Sequence, residues 1–265
     1  MIYSQKKLFQ DKEPRIPPGW PYAQDQLDKL VTSTVQTQCF GKNDLSGQTF
    51  DVDIRFLNQD HFDQLITLHK KVVAHLPKRE IFRSDEDVFF QAHMDRRGKT
   101  VGAFIGDQLI GYAVVSFPKN DPDNLGKFMN LQGEDHLRVA HFDGASVNPD
   151  YRGSQLHRLM NKVRGTYAFH AGYHHMFGTV SPLNPYSLMN HLSAGFEVVD
   201  FTKRYGGMDR LIIYRNGLTK EERVYKQFHM VNLDDRQRIK TDLQNGYIGT
   251  EVIKDDHAYH LCLGK

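Results

Sequence analysis

An α/β fold, a sheet flanked by helices, is predicted by three observations. From Val52 onward, β-rich stretches alternate with stretches of helical spacing, in the order β-α-α-β-β-β-α-β-α-β-β. Gly106-Asp107 separates two β-rich runs, "KTVGAFI" and "QLIGYAVVSF", which is a hairpin signal. "LRVAHFDGASV" runs directly into "NPDYRGSQLHRLM", a strand that passes through a turn into a helix.

Residues 1–50 are polar and include the Pro/Gly-rich run "EPRIPPGWPY". They read as an extension with one helix over Asp25–Gln36, and Trp20 is a candidate anchor onto the core. "VDIRFL" alternates as a strand does. Phe62, Leu65, Ile66, His69, Val72, Val73 and Leu76 then recur on one helical face. Ser84 reads as the N-cap of a second helix whose first turn is acidic. After the hairpin and a polar loop comes the strand through Val147. Its following helix carries Leu156, Leu159, Met160, Val163 and Tyr167 on one face. "MFGTV" is a short strand. Asn184-Pro185 opens a helix, because Asn caps well and Pro suits the first helical position. That helix stops at Gly195. "FEVVDF" and "RLIIYR" pair around Gly206-Gly207. Residues 217–265 add a strand ("VYKQFHMVNL"), a capped helix ending at Gly246, and a final hairpin. The expected organisation is an extension (1–50), a core (51–216) and a C-terminal β-α-β-β extension (217–265).

Of the 265 residues, 39% are hydrophobic and 25% charged, and the formal net charge is +2. That balance calls for neither a nucleic-acid nor a membrane partner. No apolar run approaches the ~20 residues that span a bilayer. The N-terminus has no apolar stretch of signal-peptide length. The only cysteines, Cys39 and Cys262, imply no disulfide framework. A cytoplasmic setting is expected, and a protein delivered into another cell's cytosol would look the same. His170, His174 and His175 have no carboxylate or cysteine close in sequence, and no metal site is expected from them.

A strand ending at a helix N-terminus aims backbone N–H groups at one spot that favours an anion. Here that spot is formed by Arg152, Gly153, Ser154, Gln155, Leu156 and His157, with Arg152 adding a positive charge. Water at an ordinary strand-to-helix turn would account for the same pattern.

Three stretches resemble the GNAT N-acetyltransferase family. "VNPDYRGSQLHRLM" is similar to its Val-x-Pro-x-x-Arg-Gly motif. There Arg-x-x-Gly-x-Gly/Ala wraps the pyrophosphate of acetyl-CoA. Arg152 and Gly153 match, whereas Gln155 and His157 stand where small residues are usual. "NPYSLMNHLSAGF" fits the family spacing at Asn184, Ser187, Gly195 and Phe196, with His191 at a tyrosine position. "KRYGGMDRLIIYR" resembles the closing strand pair. The resemblance spans about Val52 to Asn216.

The resemblance implies a mixed, mostly antiparallel sheet with a splayed parallel strand pair, flanked by helices. It implies acetyl-CoA as co-substrate, its pantetheine arm paired with the backbone of Ala145, Ser146 and Val147. Asn184 would bond the same arm, with Ser187 beside it. His191 becomes the candidate general acid, since histidine donates a proton near neutral pH. His141 and Asp143, which alternate onto one strand face, are candidate bases. A side chain at Gln155 or His157 need not block the phosphates, provided its β-carbon points away and φ stays negative, because N–H donation belongs to the backbone. Both cysteines lie outside the core, so direct transfer to an amine in a ternary complex is expected.

In the family the acceptor is chosen by two loops, Pro77–Arg83 and Phe201–Arg210 here. Lys78, Arg79, Arg83, Lys203, Arg204 and Arg210 lie in them. They point to an acceptor carrying a carboxylate or phosphate beside its amine; solvated surface charge explains them equally well. The acceptor is a small molecule or a protein amine. Two other readings stay open: a degenerate acetyltransferase fold serving as a binding module, and transfer of a different acyl group. The C-terminal residues are left three roles: covering the acceptor site, forming a homodimer contact, or recognising a protein.

Overall fold

The structure is a computed structural model that describes residues 24–40, 44–94, 97–219 and 223–265. Trp20 lies outside the described residues. Eleven strands form one sheet in the order β1-β2-β3-β4-β5-β6-β8-β7-β10-β11-β9. Every pair is antiparallel except β5 with β6. The fold is therefore the expected α/β class: a mostly antiparallel sheet with one parallel pair and helices on its faces.

The predicted N-terminal helix is shorter than expected. α1 (Gln24–Thr32) ends, and β1 (Thr34–Gln38) pairs with β2 (Thr49–Phe56). Thr34, Val35 and Thr37 are β-branched and favour the strand. α2 (Phe62–Ala74) buries Leu65, Ile66, Leu68, His69 and Val72. α3 (Asp87–His93) starts later than predicted: its N-cap is Glu86, not Ser84. Ser84 Oγ instead lies 3.2 Å from His69 Nε2.

β3 (Gly98–Ile105) and β4 (Gln108–Ser116) form the hairpin, with Gly106 at φ 56°. The polar loop that follows holds a short helix, α4 (Gly133–Leu137), unforeseen in the sequence. β5 (Val139–Val147) pairs with β4 and leads into α5 (Leu156–His170). Leu156, Met160 and Val163 of α5 pack with Val101, Ala103, Ile110 and Ala113 of β3 and β4. Burial of each leucine, methionine, valine or isoleucine side chain there contributes about 1.5–3 kcal/mol. β6 (His175–Val180), α6 (Pro185–Leu192), β7 (Glu197–Arg204) and β8 (Met208–Asn216) follow as read.

The C-terminal residues form β9 (Phe228–Asn232), α7 (Arg236–Gln244), β10 (Ile248–Lys254) and β11 (Tyr259–Gly264). β10 joins β7 through Gly249 and Val198. Added at Gly249, a β-carbon would come within 2.7 Å of Val198 Cβ, so glycine allows the contact. Val231, Leu233, Ile239, Leu243, Val252 and Leu261 share one core with Leu188 and Val198. Both segments read as extensions thus lengthen the central sheet at its two edges. No helix among the described residues is long and apolar enough to cross a membrane.

Candidate active site

The parallel pairing of β5 and β6 runs from Val139–His175 to Phe142–Gly178 and then stops. Beyond that point Thr179 and Val180 follow β8, while Ala145, Ser146 and Val147 follow β4. The strands separate, and one edge of β5 is left without a partner from β6. A narrow cleft of about 90 Å³ opens there, lined by Asp143, Gly144, Ala145, Thr179, Asn184, Ser187, His157 and His191 among others. Eight residues picked out in the sequence thus line one cleft: Arg83, Asp143, Ala145, His157, Asn184, Ser187, His191 and Arg210.

The separation has a local cause in β5. Ala113 faces Ala145, but Val115 faces Phe142, so β5 carries one extra residue at Asp143–Gly144. Arg164 of α5, fully buried, donates from Nη1 to the carbonyls of Val114 (2.6 Å) and Asp143 (3.0 Å). It braces the bulge from behind. Burial lowers its pKa to about 9. Its guanidinium lies 4.3 Å from the Phe142 ring centroid.

The turn before α5 has an unexpected backbone. Gln155 adopts φ 59°, ψ 8°, the left-handed region, so the condition of a negative φ is not met at this residue. Gly153 is at φ 86°. The turn keeps the path that glycine would take and forces a side chain onto it, a strained choice. The first intrahelical bond is from Leu159 N–H to Gln155 O, 3.1 Å. The N–H groups of Leu156 and His157 belong to the first turn, which has no carbonyls of its own helix to bond. Ser154 is buried and donates to Tyr151 O. Cys39 Sγ lies 3.1 Å from Arg152 O, and Phe40 N–H donates to Gly153 O at 3.1 Å. The N-terminal extension therefore holds this turn directly.

The histidines differ from the sequence expectation. His191 is buried, its Nδ1 2.8 Å from Ser187 O and its Nε2 3.5 Å from Arg164 Nη2. Its proton is thus assigned to Nδ1 and its lone pair to the guanidinium side. Burial and then Arg164 lower its pKa to about 3, against the Ser187 carbonyl. At neutral pH it is uncharged, which corrects the expectation of a histidine poised to give up a proton. Asn190 Nδ2 lies 3.1 Å from His157 Nδ1, leaving Nε2 to carry that ring's proton. Burial, then His191 and Arg164, hold the His157 pKa well down. His141 is turned away from the cleft: its Nε2 accepts the Leu125 N–H at 3.0 Å. A lone pair committed to a backbone donor is not free to act as a base.

Asp143 stays at the cleft and accepts from Ser116 Oγ. Asn184 caps α6, accepting Ser187 N–H at 3.1 Å, and lines the cleft as well. Ser146 is buried and bonds the Tyr112 hydroxyl. Among the described residues, no three His, Cys, Asp or Glu side chains are grouped to hold a metal.

Asp85 and Tyr205 are cleft residues that were not singled out in the sequence. Asp85 has a side chain only 6% exposed, and Arg83 Nε lies 3.1 Å from its Oδ1. A β-carbon at Gly144 would stand 3.2 Å from Asp85 Oδ2, so the carboxylate lies against the bulge. Burial, opposed by Arg83 and reinforced by Asp143, raises its pKa to about 6. Tyr205, at φ 51° in the β7–β8 turn, places its hydroxyl 3.3 Å from Thr179 Oγ1.

Residues 67–196 match the model of the acetyltransferase (GNAT) family. This segment is a GNAT acetyltransferase domain. It runs from within α2 to Phe196, and so includes the bulge, the turn before α5 and α6. No curated protein matches the chain. Among solved structures, the Escherichia coli ribosomal-protein-S18-alanine N-acetyltransferase is similar at 14% identity and a TM-score of 0.46, covering 66% of this chain and 99% of its own. A GNAT-family acetyltransferase from Streptococcus pneumoniae gives 13% identity and 0.48, covering 62% and 99%. A GNAT phosphinothricin acetyltransferase from Sinorhizobium meliloti, in complex with AcCoA, gives 14% and 0.47, covering 62% and 88%. Around the GNAT segment stand β1 and β2 on one side and β7 to β11 on the other.

Proposed function

We propose that the protein transfers an acetyl group from acetyl-CoA to a primary amine, by direct attack in a ternary complex. The observation that carries this reading is the opening between β5 and β6. It joins an unpaired strand edge, a helix N-terminus and a buried carboxylate in one place.

The unpaired edge of Ala145, Ser146 and Val147 suits an extended pantetheine arm. Asn184 and Ser187 face the same opening. The turn Arg152–His157 suits a pyrophosphate, with N–H donors that do not depend on side-chain identity. Gln155 reaches the required backbone path without glycine.

An amine arrives as an ammonium and must lose a proton to attack. Asp85, with a pKa near 6, is largely ionised at neutral pH and basic enough to take it. Asp143 lies beside it and lines the same cleft. The nitrogen then bonds to the thioester carbon, and backbone N–H groups at the bulge are suited to stabilise the oxyanion. The C–S bond breaks and the amide nitrogen releases its second proton. The CoA thiolate takes one proton, so the products are the amide, CoA thiol and one H⁺. Uncharged His191 is a poor source for the thiolate's proton; the Tyr205 hydroxyl in the same cleft is the better donor.

Thiol release from acetyl-CoA in the presence of a mixed panel of primary amines tests the reading. Acetylated product that disappears in Asp85→Asn supports it. Protein that binds acetyl-CoA but never passes the acetyl group to any amine or protein would leave the binding-module reading in its place.

A further inference from the structure

A second, wider cavity of about 780 Å³ adjoins the cleft and shares Phe82, Arg83 and Tyr205 with it. Its walls are basic: Arg79, Arg83, Lys203 and Arg204, against the single carboxylate of Asp123. Solvated surface charge would be the plain explanation, and two numbers argue against it. The Arg204 side chain is 13% exposed, and Arg210, at the cleft side, is 2% exposed. Burying guanidinium groups is costly unless something compensates them.

The compensation in place is incomplete. Arg204 pairs with Asp123 at 3.0 Å, but that carboxylate is 80% exposed, and the buried Arg204 Nε has no hydrogen-bond partner among the described residues. Among the described residues, Arg210 donates only to the carbonyls of Glu80 and Asp209 and to Met208 Sδ. Lys203 shares Asp209 with Arg236. Arg79 makes no ion pair among the described residues. Three guanidinium groups, of Arg83, Arg204 and Arg210, converge on one Tyr205 ring at 4.6, 5.5 and 5.6 Å from its centroid. Like charges held this close repel, and a bridging anion relieves them. Planar guanidinium forks bind carboxylate and phosphate oxygens in particular.

We infer that the acceptor carries an anionic oxygen group, a carboxylate or a phosphate, besides its amine. The anion is held by Arg79, Arg83 and Arg204 in the wide cavity, and the amine points past Tyr205 to Asp85 and Asp143. The wide cavity is lined mainly by cations, whereas the carboxylates of Asp85 and Asp143 lie only in the cleft, beside Arg83 and Arg210, and this difference orients such a molecule before reaction. This inference rests on the acetyl-transfer reading for its chemistry, but the anion site stands or falls separately.

The test uses the full chain, acetyl-CoA and two matched amine pairs: O-phosphoethanolamine with ethanolamine, and 4-aminobutyrate with its amide. The expected result is a kcat/KM at least about tenfold higher for the anionic member of one pair, which also identifies the anion. Arg204→Met should raise KM for that member by about tenfold or more while kcat changes little, and exposed Arg79→Gln should raise it less. Equal or better use of the uncharged members overturns the inference. If none of the four is acetylated, inorganic phosphate and glutarate are titrated into protein saturated with acetyl-CoA. A thermal shift at about 10 mM that Arg204→Met abolishes supports the anion site, and no shift overturns it. Failure to bind acetyl-CoA would instead sink the transferase reading, and the same anion titration of the unliganded protein would still judge the cavity.

Discussion

Arg83 Nε lies 3.1 Å from Asp85 Oδ1, and this pair stands where the two cavities meet. The cation is half-exposed and the carboxylate is not. Arg83 therefore offsets only part of the cost of burying Asp85, whose pKa remains raised to about 6. A base of that strength gives a specific pH profile. Turnover should rise through pH 6, not through the usual carboxylate range near 4. Asp85→Asn should lower kcat by about 10²–10⁴-fold and remove that limb. An unchanged profile in the variant would take Asp85 out of the mechanism.

The same carboxylate bears on stability. Its folded-state pKa is above its unfolded value, so the folded protein carries the burial cost above pH 6. That cost is relieved as the pH falls through 6 toward 4. Asp85→Asn should therefore melt higher than the parent at pH 8, with the gain shrinking near pH 4. Melting curves of both proteins across that range check the sign.

Buried histidines push the other way. His69, His93, His141, His157 and His191 all have lowered pKa values, with burial the largest cause in each. The unfolded chain binds protons that the folded chain refuses, so stability is intact above about 6.5 and falls below it. For His191 alone the loss at pH 5.5 is on the order of 1 kcal/mol. The protein should melt lower at pH 5.5 than at 7.5, and His191→Gln should flatten that fall. A melting temperature that does not change between the two pH values contradicts this picture.

Arg164 holds two carbonyls at the β5 bulge. Arg164→Met leaves both acceptors buried without this partner, at about 1–3 kcal/mol each, offset in part by removing a buried cation. We expect a net loss of about 1–3 kcal/mol and a larger proportional loss of turnover, since the bulge shapes the cleft. Urea unfolding alongside kinetics separates the two. Full activity in a folded Arg164→Met protein would show that the bulge needs no brace.

Much of this was legible in the sequence because it depends on local signals. Gly106-Asp107 marked the β3–β4 hairpin, Asn184-Pro185 the start of α6, and the spacing of Leu156, Met160 and Val163 the buried face of α5. Other features depend on distant partners. Thr34–Gln38 is a strand because Thr49–Phe56 is there to pair with it. Ser84 looked like an N-cap, but its hydroxyl meets His69, fifteen residues away, and the helix starts later. That misreading hid Asp85, which counted as a first-turn acid and is in fact a buried carboxylate on the bulge. His191 matched its expected place in the fold but not its expected protonation. The sequence could not show that Arg164, twenty-seven residues earlier, would lie against it.

Gln155 tests how the pyrophosphate turn tolerates a missing glycine. Gln155→Gly should keep or raise stability, by up to about 1 kcal/mol, because it relieves a left-handed non-glycine residue. Gln155→Val should cost more than that, because a β-branched side chain fits φ 59° poorly. Thermal melts of the two variants check the order.

The central claim is that the opening between β5 and β6 holds acetyl-CoA. Calorimetric titration of the full chain with acetyl-CoA tests it most directly. One-site binding that free CoA displaces, and that a bulky residue at Ala145 or a charge reversal of Arg152 weakens by about tenfold or more, is the predicted result. No heat of binding at millimolar acetyl-CoA, by a folded protein, would contradict it.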